Sequence, residues 1–139
     1  MHGYIEEVVN TGDVARLPAF ISPDYVEVHA GRTHPVGLAG AREHVLGVRR
    51  TYPDLRVTLG RQIVEGEWVA SLFTATGTHL GEWLGIRPTG KVITMAGVNV
   101  DRVVGGLIVE HGGAADVFGP FLEAGAIRVV GPGDAAGGS

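Results

Sequence analysis

The sequence has no cysteine, only one lysine and no long apolar run. Without cysteine, a disulfide framework and a thiol nucleophile are both excluded. The 11 basic residues are outnumbered by 15 acidic ones, and a net charge of -4 argues against the clustered basic face that nucleic-acid binding requires. No apolar stretch approaches the ~20 residues that span a bilayer. Neither a nucleic acid nor a membrane is therefore expected as a partner.

The remaining composition is that of one folded domain. Hydrophobic residues make up 45% of the 139 residues, which is enough for a core, and chains of this length rarely split into two domains. We expect a single domain over residues 1–130 and a disordered tail, GPGDAAGGS (131–139), because the tail has little to bury. Met1 leads into the charged stretch HGYIEE rather than an apolar signal region, so a cytoplasmic location is expected.

The first half of the chain has helical periodicity. The segment from Tyr4 to Phe20 is predicted as a helix interrupted near Asn10–Gly12, with Asp13 capping the second piece. YVEVHA (25–30) alternates like a strand. Apolar residues at helical spacing predict a second helix from Leu38 to Tyr52.

The second half has the two-residue period of strands. One hairpin is predicted to turn near Glu65–Glu67, and another at Gly105–Gly106, before a short helix over Val117–Ala124. Helices followed by long antiparallel strands indicate an α+β fold. We expect a curved antiparallel sheet with the N-terminal helices packed over its concave face, which would enclose a cone-shaped cavity.

Four segments carry a resemblance to a known family, and they extend over about residues 10 to 125. They are PDYVEVHA, RRTYPDLRVTL, EGEWVASLFTATGTHLGEWLGIRPTGK and VVGGLIVEHGGAAD. In this order and spacing they resemble the SnoaL-like polyketide cyclase branch of the NTF2-like superfamily. The most specific parts are the TGTHxGxxxGIxPTGK run and the aspartate five residues after His111.

The resemblance implies a cone-shaped α+β domain that forms a homodimer or homotetramer and uses no metal or organic cofactor. It implies a small hydrophobic polyketide-like substrate, whose last ring is closed by an intramolecular aldol condensation. The family's acid/base aspartate falls on Asp116. Two features depart from the family pattern: Gly112 stands where a tryptophan is usual, and the last helix ends in EAGAIRVV (123–130).

The residues themselves give Asp116 a predicted position. With Gly105–Gly106 as the turn, Met95 lies opposite Asp116 and Asn99 lies opposite Gly112, all on one face of the sheet. A carboxyl group deep in the cone would lose solvation, which raises its pKa and suits a general base. The alternative is that Asp116 caps the following helix.

Further candidates surround the predicted cavity. His79 is the second catalytic candidate, because it ends a strand beside the Gly81–Gly90 loop and could hydrogen-bond a substrate carbonyl at the pocket mouth. The alternative is that His79 hydrogen-bonds the backbone of the turn. Trp83 could stack on a planar ligand or plug the core. The predicted substrate contacts are His29, Trp83, Met95, Asn99, Gly112 and Phe121.

The other histidines are given no catalytic role by the pattern. His111 is expected on the opposite, outer face, and His34 and His44 are expected in solvent. No HxH or HxxxH spacing is present, so no metal site is predicted.

Three functions stay open at this point. The first is a cofactor-independent cyclase. The second is an epoxide hydrolase-like or hydroxylation accessory enzyme of the same fold, for which Asp101, Arg102 and Asp116 are available. The third is a non-catalytic ligand-binding dimeric domain, in which Met95 and Phe121 fill the cone. An apolar outer face, carrying Val98, Val100, Leu107 and Val109, would support an oligomer.

Overall fold

The computed structural model describes residues 1–132 and begins with short helical segments. Helix α1 (His2–Tyr4) continues into a π-helical segment (Ile5–Val9), and a 3₁₀ helix covers Val14–Ala19. The predicted interruption is confirmed: Gly12 has a φ of +76°, which glycine adopts without strain. The predicted cap is wrong, because the Asp13 side chain makes no capping hydrogen bond.

Two longer helices follow. Helix α2 (Gly37–Thr51) confirms the predicted second helix and buries Ala41 and Val45. Helix α3 (Phe118–Ala124) confirms the predicted short helix, and it ends at Gly125, whose φ of +78° closes a helix at no steric cost.

Six strands form one sheet in the order β2-β1-β6-β5-β4-β3. The strands are β1 (Ile21–His29), β2 (Arg32–Pro35), β3 (Arg56–Glu65), β4 (Trp68–Thr78), β5 (Val92–Val104) and β6 (Leu107–Asp116). Because β1 pairs with β6 in parallel, the sheet is mixed, and the expectation of a wholly antiparallel sheet is wrong at that pair. The α+β class and the curved sheet are confirmed. Strand β2 was not predicted.

The two faces of the sheet differ in what covers them. The helices pack against the inner face, where Val57, Ala75 and Ile93 contact Ile5 and Phe121. A second cluster joins α2 to β1 and β6; its buried members are Val8, Leu17, Ile21, Tyr25, Ala41, Val45 and Ile108. Fully burying an apolar side chain of this size contributes about 1.5–3 kcal/mol, so these clusters fix which face is covered.

The β5–β6 hairpin determines the position of every candidate on these strands. Gly105 and Gly106 both have positive φ, which confirms the predicted turn. Beyond the turn the register shifts by one residue, since Arg102 lies opposite Glu110 and the next pair is Val103 with Ile108. Val109 is the extra residue of this bulge. A slip of one residue exchanges the inner and outer faces of the rest of β6.

Within residues 1–132, no helix is both long and apolar enough to cross a membrane. The predicted disorder of the tail falls mainly on residues 133–139, which lie outside the described residues.

Candidate active site

The shifted register brings two ionisable side chains together on the inner face. His111 lies directly opposite Asp101, and its Nδ1 donates to Asp101 Oδ1 at 2.6 Å. The Asp101 side chain is 2% exposed, and that of His111 is 25% exposed. His111 was expected on the outer face; that expectation was wrong because the bulge at Val109 was not foreseen.

A second pair adjoins the first. Glu27 on β1 is the cross-strand neighbour of His111, so Glu27, His111 and Asp101 form a row across three strands. Helix α2 places His44 above this row, where His44 Nδ1 donates to Glu27 Oε2 at 2.7 Å. Tyr25 Oη donates to the same carboxylate oxygen at 3.2 Å. His44 is exposed to solvent, as expected, and it is also the ion-pair partner of Glu27, which was not expected.

The charges of this cluster follow from its contacts. The hydrogen bond from His44 outweighs burial and holds the pKa of Glu27 at about 2. Burial alone would lower the pKa of His111, but the hydrogen bond and charge of Asp101 and the charge of Glu27 together raise it. Burial, reinforced by the carboxylates, raises the pKa of Tyr4 and Tyr25. At neutral pH both tyrosines are neutral, and Tyr25 is the one that donates to the ionised Glu27.

One oxygen of Asp101 has no partner. Oδ1 is held by His111, whereas Oδ2 is buried and makes no hydrogen bond within the described part of the chain. Leaving a buried acceptor unpaired typically costs about 1–3 kcal/mol, more when it is charged. A carboxylate with one oxygen fixed and the other free has the geometry of a general base.

Asp116 lies elsewhere. It is exposed, and it pairs with Ala96 on the outer face rather than with Met95 on the inner face. Its predicted deep placement was wrong because of the same bulge. The capping alternative fails as well, since the N-terminus of α3 has no side-chain cap. Its catalytic role stays a prediction that rests on the family motif.

His79 is buried, not placed at a pocket mouth. Its ring is stacked on Phe121, with centroids 5.6 Å apart, and Tyr52 lies 5.7 Å away. The Thr89 backbone N–H donates to His79 Nδ1 at 3.3 Å, which confirms the alternative that His79 binds the backbone of the turn. His79 Nε2 is the second buried side-chain atom without a partner in residues 1–132.

The glycine-rich loop is pinned rather than open. Trp83 and Ile86 exchange backbone hydrogen bonds across a tight turn, and the Leu80 and Gly81 amides donate to Thr51 O. The Trp83 ring meets Phe121 edge-on at 6.1 Å, although the residue remains 42% exposed. This packing agrees with the plug alternative for Trp83.

The remaining predicted substrate contacts are dispersed. Phe121 belongs to the core, and Met95 packs against the same cluster. Asn99 is half-buried on the inner face between Ser71 and Gly113, two residues from Asp101. Gly112 lines an open groove of about 360 Å³ on the outer face. His29 is exposed, and its ring lies 3.7 Å from the Glu27 carboxylate. Of the predicted contacts, only Asn99 and His29 adjoin the inner cluster.

The hydrolase arrangement gains no support from these positions. Arg102 is on the outer face, where its guanidinium binds Glu67 at 2.8 Å, while Asp101 is on the inner face. Arg102 shares the outer face with Asp116, yet the two lie six pairs apart along the hairpin. Across the described ranges, no group of three or more histidine, aspartate or glutamate side chains is positioned to hold a metal ion.

The Glu27–His44 pair was missed, although two signals could have found it. Glu27 is two residues from Tyr25, so both share the buried face of one strand. His44 is three residues after Ala41, which places it beside the apolar stripe of α2. Together they predict a polar contact between β1 and α2.

Known proteins are similar to this chain over most of its length. Residues 1–123 match the family described as SnoaL-like polyketide cyclase. Nogalonic acid methyl ester cyclase from Streptomyces nogalater is 29% identical over 121 residues, which is 84% of this chain and 88% of that protein. Aklanonic acid methyl ester cyclase AcmA from Streptomyces galilaeus is 26% identical over 124 residues, covering 86% and 84% of the two chains.

Solved structures agree with this assignment. TsrD from Streptomyces laurentii has a TM-score of 0.80 at 25% identity, with 91% of this chain and 92% of that chain covered. Wild-type IdmH from Streptomyces antibioticus has a TM-score of 0.72 at 29% identity, with 91% and 95% covered. The family match extends over most of the chain, and the fold agrees with it. The chain therefore belongs to the SnoaL-like polyketide cyclase family.

Proposed function

We propose that this protein is a cofactor-independent polyketide cyclase that closes a ring by intramolecular aldol condensation, with the Asp101–His111 pair as its acid/base. Two relatives named as methyl ester cyclases support a small, hydrophobic, polyketide-like ester as the substrate. The observation that carries the proposal is the buried Asp101 carboxylate, whose Oδ1 is held by His111 while its Oδ2 is unpaired.

In the proposed reaction Asp101 acts as the base and His111 acts as the acid. Asp101 Oδ2 takes the proton from a carbon α to the ester carbonyl, and the electron pair of the C–H bond forms an enolate. The enolate carbon bonds to a ketone carbon of the same molecule, and the carbonyl π electrons become an alkoxide. His111, as imidazolium, donates a proton to that alkoxide. After ring closure Asp101 Oδ2 releases its proton to water and His111 Nε2 takes one up from water, which restores both groups while His111 Nδ1 keeps its hydrogen bond to Asp101 Oδ1.

The electrostatics suit this sequence of steps. The raised pKa of His111 favours the imidazolium form that the alkoxide requires. Asp116, exposed on the outer face, lacks both a partner of this kind and a desolvated setting.

The first test is turnover without added metal or nicotinamide. Tricyclic and tetracyclic polyketide methyl esters are incubated with the protein in the presence of a chelator, and ring closure is followed by chromatography and mass spectrometry. We expect closure of at least one ester by the wild type. Asp101→Asn should reduce it by roughly 10²- to 10⁴-fold, the usual contribution of general acid/base catalysis.

A non-catalytic ligand-binding domain is the second candidate, and one observation favours it. Phe121 and Met95 pack in the core at the His79 end of the sheet, as expected of a filled cone. If the wild type binds these esters in a calorimetric titration yet closes none of them, the cyclase proposal fails and the binding domain takes its place.

A further inference from the structure

The Glu27–His44 pair lies between the buried Asp101–His111 pair and solvent. Side-chain exposure rises from 2% at Asp101 to 25% at His111 and 44% at His44. The rings of His44 and His111 face each other edge-on, with centroids 6.0 Å apart at 69°. The two imidazoles are therefore neighbours, and a proton can pass between neighbouring polar groups directly or through a bridging water.

We propose that His44 carries protons between solvent and His111, and that Glu27 positions His44 for this transfer. The inference rests on the proposed function in one respect only: the relay keeps the acid/base pair in its working protonation state. The proton route itself is a property of the free protein, so it can be measured without any substrate.

The hydrogen bonds assign a task to each ring nitrogen. Nδ1 of His44 is directed at Glu27, and Nδ1 of His111 is directed at Asp101. Each ring therefore has Nε2 left for proton exchange. His44 takes a proton from water at Nε2 and passes it, through one bridging water, to Nε2 of His111.

Glu27 is suited to positioning rather than to carrying the proton. With a pKa of about 2, its carboxylate stays ionised and does not accept the proton from His44 near neutral pH. Its charge contributes to the raised pKa of His111. The other ionisable groups that face the cluster are Tyr4 from the N-terminal helix, Tyr25 and His29 from β1, and Asp101 from β5.

The experiment measures how fast the ring protons of His111 exchange with water. Protein labelled with ¹⁵N on histidine is studied by NMR in the cold, free of substrate, and the His111 ring signals are assigned with His111→Gln. The variants are His44→Gln, which keeps a donor toward Glu27 but carries no proton, and Glu27→Gln. The matched control is His34→Gln, which removes an exposed histidine on β2 whose ring lies near His29.

We expect the exchange rate of the His111 ring protons to fall roughly tenfold or more in His44→Gln. This is at the low end of the rate contribution that a positioned acid/base group usually makes. In Glu27→Gln the pKa of His111 should also fall, because a negative charge that raises it is gone. His34→Gln should behave like the wild type. Free imidazole should restore fast exchange to His44→Ala, since the half-exposed site can admit it.

Unchanged exchange in both folded His44 variants would overturn the relay. If His44→Gln does not fold, judged by its amide spectrum, His44→Asn is measured in its place. The two proposals fail separately: an Asp101→Asn enzyme that still turns over removes the acid/base assignment, whereas the exchange rates decide the relay alone.

Discussion

Glu27→Gln should make the stability of this protein less sensitive to acid. The hydrogen bond from His44 lowers the pKa of Glu27 from 4.5 to about 2, and such a shift corresponds to about 3 kcal/mol of folding free energy. Because the folded-state pKa is depressed, this contribution is present above the unfolded pKa of 4.5 and is lost as the pH falls toward 2. The Glu27 side chain is 8% exposed but its partner His44 is 44% exposed, so solvent screens part of the interaction and about 3 kcal/mol is an upper bound.

The assay is urea unfolding at several pH values between 7 and 2. The difference in free energy of unfolding between wild type and Glu27→Gln should be largest at neutral pH and should shrink on acidification by up to about 3 kcal/mol. Glu6→Gln is the control, because Glu6 is an exposed carboxylate that pairs with Arg56 at 3.4 Å. A wild-type to Glu27→Gln difference that does not change between pH 7 and pH 2 would refute the reasoning.

Two further predictions concern the sheet. Gly113→Ala should lower stability by about 1–3 kcal/mol or more, because Gly113 has a φ of +134° and a Cβ there would overlap the Val98 carbonyl oxygen. The control is Gly119→Ala, which should be neutral or stabilising because the space around Gly119 is open. Equal melting temperatures for the two variants would contradict this prediction. The protein should also be an oligomer through its outer face, where Trp68 and Leu72 are exposed and Leu72 lies opposite Val98. Light scattering that gives 14.5 kDa for the wild type, or no loss of mass in Leu72→Glu, would count against that face.

Local patterns predicted much of the fold. The second helix was found because its apolar stripe and Pro53, which lies two residues after its end, are both local features. The β5–β6 turn was found because Gly105–Gly106 permits positive φ at both positions. The parallel pairing of β1 with β6 was not found, because it joins segments about 80 residues apart and leaves no local mark.

The candidate site was harder to predict because it depends on register. Val109 looks like any other strand residue, yet its bulge moves His111 to the inner face and Asp116 to the outer face. Glycines often mark bulges, yet the irregularity lies at Val109, three residues before the Gly112–Gly113 pair. The family motif pointed to β6, and the structure shows that His111 on this strand pairs with Asp101 on β5.

The most direct test of the account compares two aspartates in one assay. Asp101→Asn and Asp116→Asn are measured side by side on the same polyketide methyl ester, with folding checked for each by circular dichroism. The account predicts that Asp101→Asn loses roughly 10²- to 10⁴-fold in turnover, while Asp116→Asn, changed on the exposed outer face, stays within a few-fold of the wild type. Loss of turnover in Asp116→Asn together with near wild-type turnover in Asp101→Asn would contradict it and return the acid/base role to the family's motif aspartate.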